Sequence, residues 1–209
     1  MANPLEHDDA EGSQPEVLDE RDPFGFRKAG FRIRFEQDLE DRPLALQGAI
    51  KHLIEELKVD PSDVTIGQWL SLLQDPDPDV RASVAREFGP LQNPAYTASD
   101  KPLIKIRIRD KDIEVTVSAL CGLIKSNKDG DVTASAITSL RRFGLDAALV
   151  AVPALIPLIE GDDPQLQEAA ITALPSFGPD AASEAVPALI RTLGNRSADI
   201  RLATCGTLA

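Results

Sequence analysis

A pattern of up to 16 residues returns along the chain at a spacing of 34, and no other feature limits the fold as strongly. Asp129–Gly144, Asp163–Gly178 and Ser197–Leu208 align at that offset, and an earlier copy, Asp77–Gly89, starts 52 residues before Asp129, one period plus 18. A unit this short cannot bury its own apolar face, so copies in series are expected to stack into one continuous core.

Each copy reads as a helix with a marked start. Its first column is Asp77, Asp129, Asp163 and Ser197, side chains that accept a hydrogen bond from the free N–H groups of a first turn. Pro78 and Pro164 follow, where a missing N–H costs nothing. Apolar residues then fall at Val80, Val84, Ala85 and Phe88, at Val132, Ala136, Ile137 and Leu140, and at Leu166, Ala170, Ile171 and Leu174. The last copy places Ile200, Thr204, Cys205 and Leu208 in the same columns. Offsets of 4, 5 and 8 from the first member trace one helical face. Gly144 and Gly178 close two copies with the residue that tolerates positive φ.

A shorter apolar helix precedes these. Ala151–Ile159 and Ala185–Leu193 are again 34 residues apart, and Ile66–Leu73 holds the equivalent place ahead of Asp77. The unit is therefore a helical hairpin, helix A then helix B. In its helix B starts the chain resembles the HEAT-repeat family of armadillo-like helical repeats, whose units are antiparallel helix pairs with an Asp-x-Asp-x-x-Val-Arg-like opening. Asp75–Arg81 and Lys128–Val132 carry that opening closely, Gly161–Leu166 in part and Asn195–Arg201 loosely. The resemblance covers residues 64–209 and implies an all-α fold, a right-handed α-solenoid of antiparallel hairpins. The family's Arg is kept as Arg81 and Arg201 and replaced by Thr133 and Gln167, so a continuous Asp–Arg ladder is not expected.

The remaining segments are not repeats. Met1–Asp22 holds eight carboxylates and one Arg, a net −7 of the chain's −12, with few large apolar residues, and is expected to be a disordered acidic tail. Residues 23–43 follow, in which Phe24–Phe35 gathers four of the seven Phe and four basic residues; this reads as an apolar strip docking on the domain with its cations outside. Residues 44–60 place Leu46, Ala49, Ile50, Leu53, Ile54 and Leu57 on one face, as an N-terminal capping helix. The repeat domain, 61–209, contains an insertion at 92–112. There Leu103–Arg109 alternates β-branched and basic residues, which predicts extended chain, with helix A of the second unit running from Ile113 to Lys125. A second alignment matches Pro102, Ile104, Ile108 and Val115 with Pro187, Leu189, Leu193 and Ile200 and makes the stretch a degenerate helix A. The β-branched run favours the insertion.

Chemistry-bearing residues are scarce. The two His are His7 in the tail and His52 in the capping helix, and Cys121 and Cys205 have neither metal-ligand nor disulfide-framework spacing. Gly89, Gly144 and Gly178 close repeats and form no phosphate loop. The family includes metal-dependent hydroxylases with repeated His-Glu motifs, and this chain lacks those motifs. No catalytic residue, cofactor or metal is expected. With no run of apolar residues near the roughly 18 that a membrane helix needs and an acidic start, the expected place is the cytoplasm, with no membrane contact.

The expected function is that of a noncatalytic scaffold or adaptor gripping a protein on the concave face lined by the B helices. That wall comprises Arg81, Arg86, Thr133, Thr138, Arg141, Gln167, Thr172 and Arg201, joined by Lys105, Arg107 and Arg109 of the insertion. Such a basic strip on an acidic chain fits an acidic protein segment, of which this chain's own leader is an example. Two alternatives are an enzyme or lyase component acting on a bulky ligand in the groove, and nucleic-acid binding through Phe24–Phe35 and Lys101–Lys111, which the acidic balance disfavours. Helix B of the last copy reaches residue 208 with no stop signal, so self-association or a further C-terminal segment is expected to cover its apolar side.

Overall fold

The structure, a computed structural model, describes residues 39–60, 63–88, 110–126 and 129–208. The leader 1–22, most of the segment 23–43, and residues 92–109 of the expected insertion with Lys105, Arg107 and Arg109 lie outside the described residues. Among the described residues every regular element is helical.

The first helix, α1 (Leu44–Leu57), buries Leu46, Ile50 and Leu53, with Ala49, Ile54 and Leu57 at the edge of the contact. No side chain caps its start; Gln47 Nε2 instead donates back to the Arg42 carbonyl at 2.8 Å and the Glu40 carbonyl at 3.2 Å. It ends at Lys58, whose φ of +52° is a left-handed conformation usually left to Gly.

Helix pairs follow. Helix α2 (Ile66–Ser71) runs into a 3-10 turn at Leu72–Gln74, and α3 (Pro78–Glu87) packs back on that turn. Helix α4 (Asp110–Ser126) pairs with α5 (Gly130–Phe143), α6 (Ala148–Ile159) with α7 (Pro164–Ala173), and α8 (Val186–Thr192) with α9 (Ala198–Leu208). One helix boundary differs from the sequence reading: α4 begins at Asp110, three residues ahead of the expected Ile113. Asp112, in its first turn, suits the positive end of a helix.

The B-helix starts form as their column requires. Asp77 accepts from the Asp79 N–H at 2.9 Å, Asp129 from Asp131 and Val132 at 3.0 and 3.2 Å, and Asp163 from Gln165 and Leu166 at 2.9 and 3.2 Å. Ser197 Oγ accepts from Ile200 at 3.4 Å. Helix α2, with no Asp, closes a reciprocal box in which Thr65 N–H donates to Gln68 Oε1 at 2.7 Å. At the other ends, Gly144 and Gly178 have φ of +56° and +82°, and a Cβ on Gly178 would stand 2.6 Å from Leu145 Cδ2. There the chain needs both the backbone freedom and the missing side chain.

The pairs pack in two layers. Helix α3 lies on α5, α5 on α7 and α7 on α9; in the other layer α2 lies on α4, α4 on α6 and α6 on α8. Every apolar column residue of α3 and α5, from Val80 to Leu140, is buried. One contact recurs between B helices: Ser139 Oγ donates to the Ala85 carbonyl, and Thr207 Oγ1 donates to the Ile171 carbonyl at 3.3 Å. Both donors stand ten residues after their helix-start residue and both acceptors eight after theirs. Ala173 fills the intervening place, and in α3 it is the buried Glu87, whose Oε1 lies 3.5 Å from Arg42 Nε just ahead of α1. The segment leading into α1 thus occupies the side of α3 that faces a preceding B helix elsewhere.

The stretch Gly130–Ile159 is long and apolar enough by composition to cross a membrane. It holds two helices, α5 and α6, separated at Gly144 by the positive φ and a 3-10 turn, Gly144–Ala147. Part of its apolar surface is packed, since Val132, Ala136, Leu140, Val152, Leu155 and Ile159 are buried in the core, while Leu145, Leu149 and Val150 are exposed.

Candidate functional site

The residues expected along the B-helix wall separate into two groups by their distance from the helix start. Arg81, Thr133, Gln167 and Arg201 all stand four residues after it, about 40° round the helix from the start, facing the turn from which the helix emerges. Each donates a hydrogen bond there. Arg81 Nη1 donates to the Asp75 and Pro76 carbonyls at 2.7 and 2.9 Å, and Arg201 Nη1 to the Asn195 and Arg196 carbonyls at 2.8 and 3.1 Å. Thr133 Oγ1 donates to the Asp129 carbonyl at 3.0 Å. Gln167 Nε2 donates to the Ile159 carbonyl at 2.7 Å, closing the end of α6, and its Oε1 accepts from Asn195 Nδ2 at 3.0 Å.

This corrects the sequence reading. Thr133 and Gln167 are buried, at 2% and 6% exposure, and are removed from the wall. Arg81 and Arg201 remain at the surface but satisfy turn carbonyls. The column that an Asp–Arg ladder would occupy holds instead a set of side-chain donors to backbone oxygens of the preceding turn or of their own helix start.

The second group points outward. Arg86, Thr138 and Thr172 stand nine residues after their helix starts, and Arg141 twelve after Asp129; all four are exposed. Thr138 and Thr172 turn their hydroxyls back to their own helices, onto the Ala134 and Glu168 carbonyls at 2.9 Å each. The cations gather at one place, the last turns of α3 and α5. Arg86 Nε donates to Ser135 Oγ at 2.9 Å, and Arg142 Nη1 donates to the Arg86 carbonyl, so the two helix ends are fastened together with Arg86 and Arg142 side by side. Arg141, one residue before Arg142 on the same turn of α5, is exposed and takes no part in this fastening. Among the described residues neither Arg86 nor Arg141 is in an ion pair. The helix C-termini beneath them stabilise positive charge and hold the arginines where two helices meet.

The groups that could do covalent chemistry lie apart from this place. His52 is exposed on α1, 3.6 Å from Glu56. The Cys121 thiol is buried in α4 and donates to the Val150 carbonyl at 3.6 Å. Burial pushes it up to about 11, against the opposing pull of Lys125, so it is a neutral thiol near pH 7. Among the described residues no group of three or more His, Cys, Asp or Glu is placed to hold a metal ion.

The sequence reading missed a set of exposed apolar residues on two helices. Helix α6 and the turn before it expose Leu145, Leu149 and Val150, and α8 exposes Ile190, with Leu193 just beyond. A signal was present: α6 is apolar nearly all round, and a helix with more apolar positions than one face can bury must show some of them to solvent. Pro153 and Pro157, both inside α6, remove two backbone N–H donors on its exposed side.

No protein-family model matches the chain, and no curated protein matches it.

Proposed function

We propose that the chain is a HEAT-like α-solenoid acting as a noncatalytic scaffold or adaptor, and that the B-helix face grips an acidic segment of a protein partner at the ends of α3 and α5. The observation that carries this reading is the placement of Arg86 and Arg141 on adjoining helix ends, exposed and outside any ion pair among the described residues. Guanidinium groups held this way match carboxylates in forked, charge-assisted hydrogen bonds. Support for the solenoid comes from the 34-residue offset in sequence, the two layers of like-on-like packing, and the hydroxyl-to-carbonyl contact that returns between successive B helices. Such a stack places equivalent faces in a row, which suits an extended ligand better than a compact one.

The test uses Arg141→Glu, since Arg141 is exposed and its replacement leaves the α3–α5 fastening in place. Binding of a fluorescein-labelled deca-glutamate peptide at about 50 mM salt is expected to weaken roughly tenfold, and the difference to shrink at about 0.5 M salt as screening sets in. Far-ultraviolet circular dichroism should not change. Equal binding by both proteins would remove this face from the account.

A further inference from the structure

We propose that the acidic leader Met1–Asp22 occupies the Arg86–Arg141 face in cis, so that an acidic partner binds by displacing it. This rests on the reading of that face as an acidic-segment site. Three observations carry it.

The first is charge. The leader holds Glu6, Asp8, Asp9, Glu11, Glu16, Asp19, Glu20 and Asp22 against Arg21 alone, more than half of the chain's net −12. The cations at the ends of α3 and α5 supply the opposite sign.

The second is the point of entry. The described chain begins at Leu39, buried in the core, and Arg42 Nε lies 3.5 Å from Glu87 Oε1. Glu87 is the neighbour of Arg86 and the last residue of α3. Arg42, near the start of the described residues, therefore lies at the same helix end that carries the first arginine of the face.

The third is reach. Residues 23–38 separate the leader from Leu39, a contour of up to about 55 Å, whereas packed helices stand about 8–10 Å apart. Arg141 on α5 is one helix contact from the entry point, so the tether allows the leader to lie across both arginines. A segment tethered this closely competes at an effective concentration on the order of millimolar. The leader then excludes weak acidic ligands and yields to a partner that outbids it in contacts.

The experiment compares the full chain with a full-length variant carrying Glu6→Gln, Asp8→Asn, Asp9→Asn, Glu11→Gln, Glu16→Gln, Asp19→Asn, Glu20→Gln and Asp22→Asn. The probe is again labelled deca-glutamate at about 50 mM salt. The neutralised leader is expected to raise affinity about tenfold, as expected for removing a competitor at about ten times its own Kd, and adding Arg141→Glu to it should abolish the gain. Equal affinity of wild type and the neutralised variant, with both weakened by Arg141→Glu, would overturn occupancy in cis while leaving the face a binding site. A gain that survives Arg141→Glu would place the leader elsewhere, on Arg27–Arg34 for instance, and overturn the proposal. Binding indifferent to Arg141 in every background would overturn the face itself.

Discussion

Helices α5 and α9 carry the same columns and meet different surroundings. In α5, Val132, Ala136, Ile137 and Leu140 are all at most 1% exposed. In α9, Ile200 and Thr204 are equally buried, yet Cys205 is exposed and Leu208 is 40% exposed. The difference assigns each column its neighbour. Helix α5 packs on α3, α4 and α7, whereas α9 packs on α7 and α8 with no later helix among the described residues, and we read the exposure of its last two columns as the missing cover. A position in the pattern is thus worth what its neighbour makes it worth, as expected of a stack held by nearest-neighbour contacts.

The largest effect expected from this comparison is on the column shared by Ile137 and Cys205. Ile137→Ala should cost about 3 kcal/mol, the usual price for emptying a fully packed site, while Cys205→Ala should change stability by less than about 0.5 kcal/mol, as surface substitutions do. Urea unfolding of the two variants checks this, and similar losses would break the comparison.

The two cysteines sharpen it next. Cys121 is buried and its thiol is raised from an ordinary 9.0 to about 11, whereas Cys205 is exposed. Because the folded state holds the Cys121 proton to higher pH than the unfolded chain, its contribution is complete below pH 9 and is lost as pH rises to about 11. The loss should approach about 2–3 kcal/mol for the shift cited. Denaturant titrations across that window should show a downward slope that Cys121→Ala flattens and Cys205→Ala leaves in place. In native protein at neutral pH, a thiol reagent should modify Cys205 at once and Cys121 only on unfolding.

A smaller effect attends the recurring hydroxyl. Ser139→Ala removes the donor to the Ala85 carbonyl inside the stack, and Thr207→Val removes its counterpart at the edge. The first should cost about 1–2 kcal/mol, because it leaves a buried acceptor short of a partner. The second should cost less than about 1 kcal/mol, since Thr207 is half-exposed.

Much of this was legible because helix starts and apolar columns depend on local chemistry. Asp77, Asp129, Asp163 and Ser197 announced their helices, and the face from Val80 to Phe88 is buried as its spacing implied. What escaped depended on direction or on neighbours. Thr133 and Gln167 look like surface residues by type, and only the turn behind them shows where their donors go. Cys205 and Leu208 look like core by column, and only the stack shows which side is covered. Lys58 ends α1 in a conformation that sequence assigns to Gly, so nothing in its own identity marked the stop. The arginines of the candidate face were visible one by one; their meeting at the ends of α3 and α5 followed from the α3–α5 contact.

The most direct test of the nearest-neighbour account is native-state hydrogen exchange resolved along the chain. Protection is predicted to be greatest in α5 and α6, covered on both sides, and to fall through α7 and α8 to α9, whose last turn should exchange at the smallest opening free energy. Equal protection of α5 and α9 would contradict the account, since it would mean that the stack opens as a single unit whatever covers each helix.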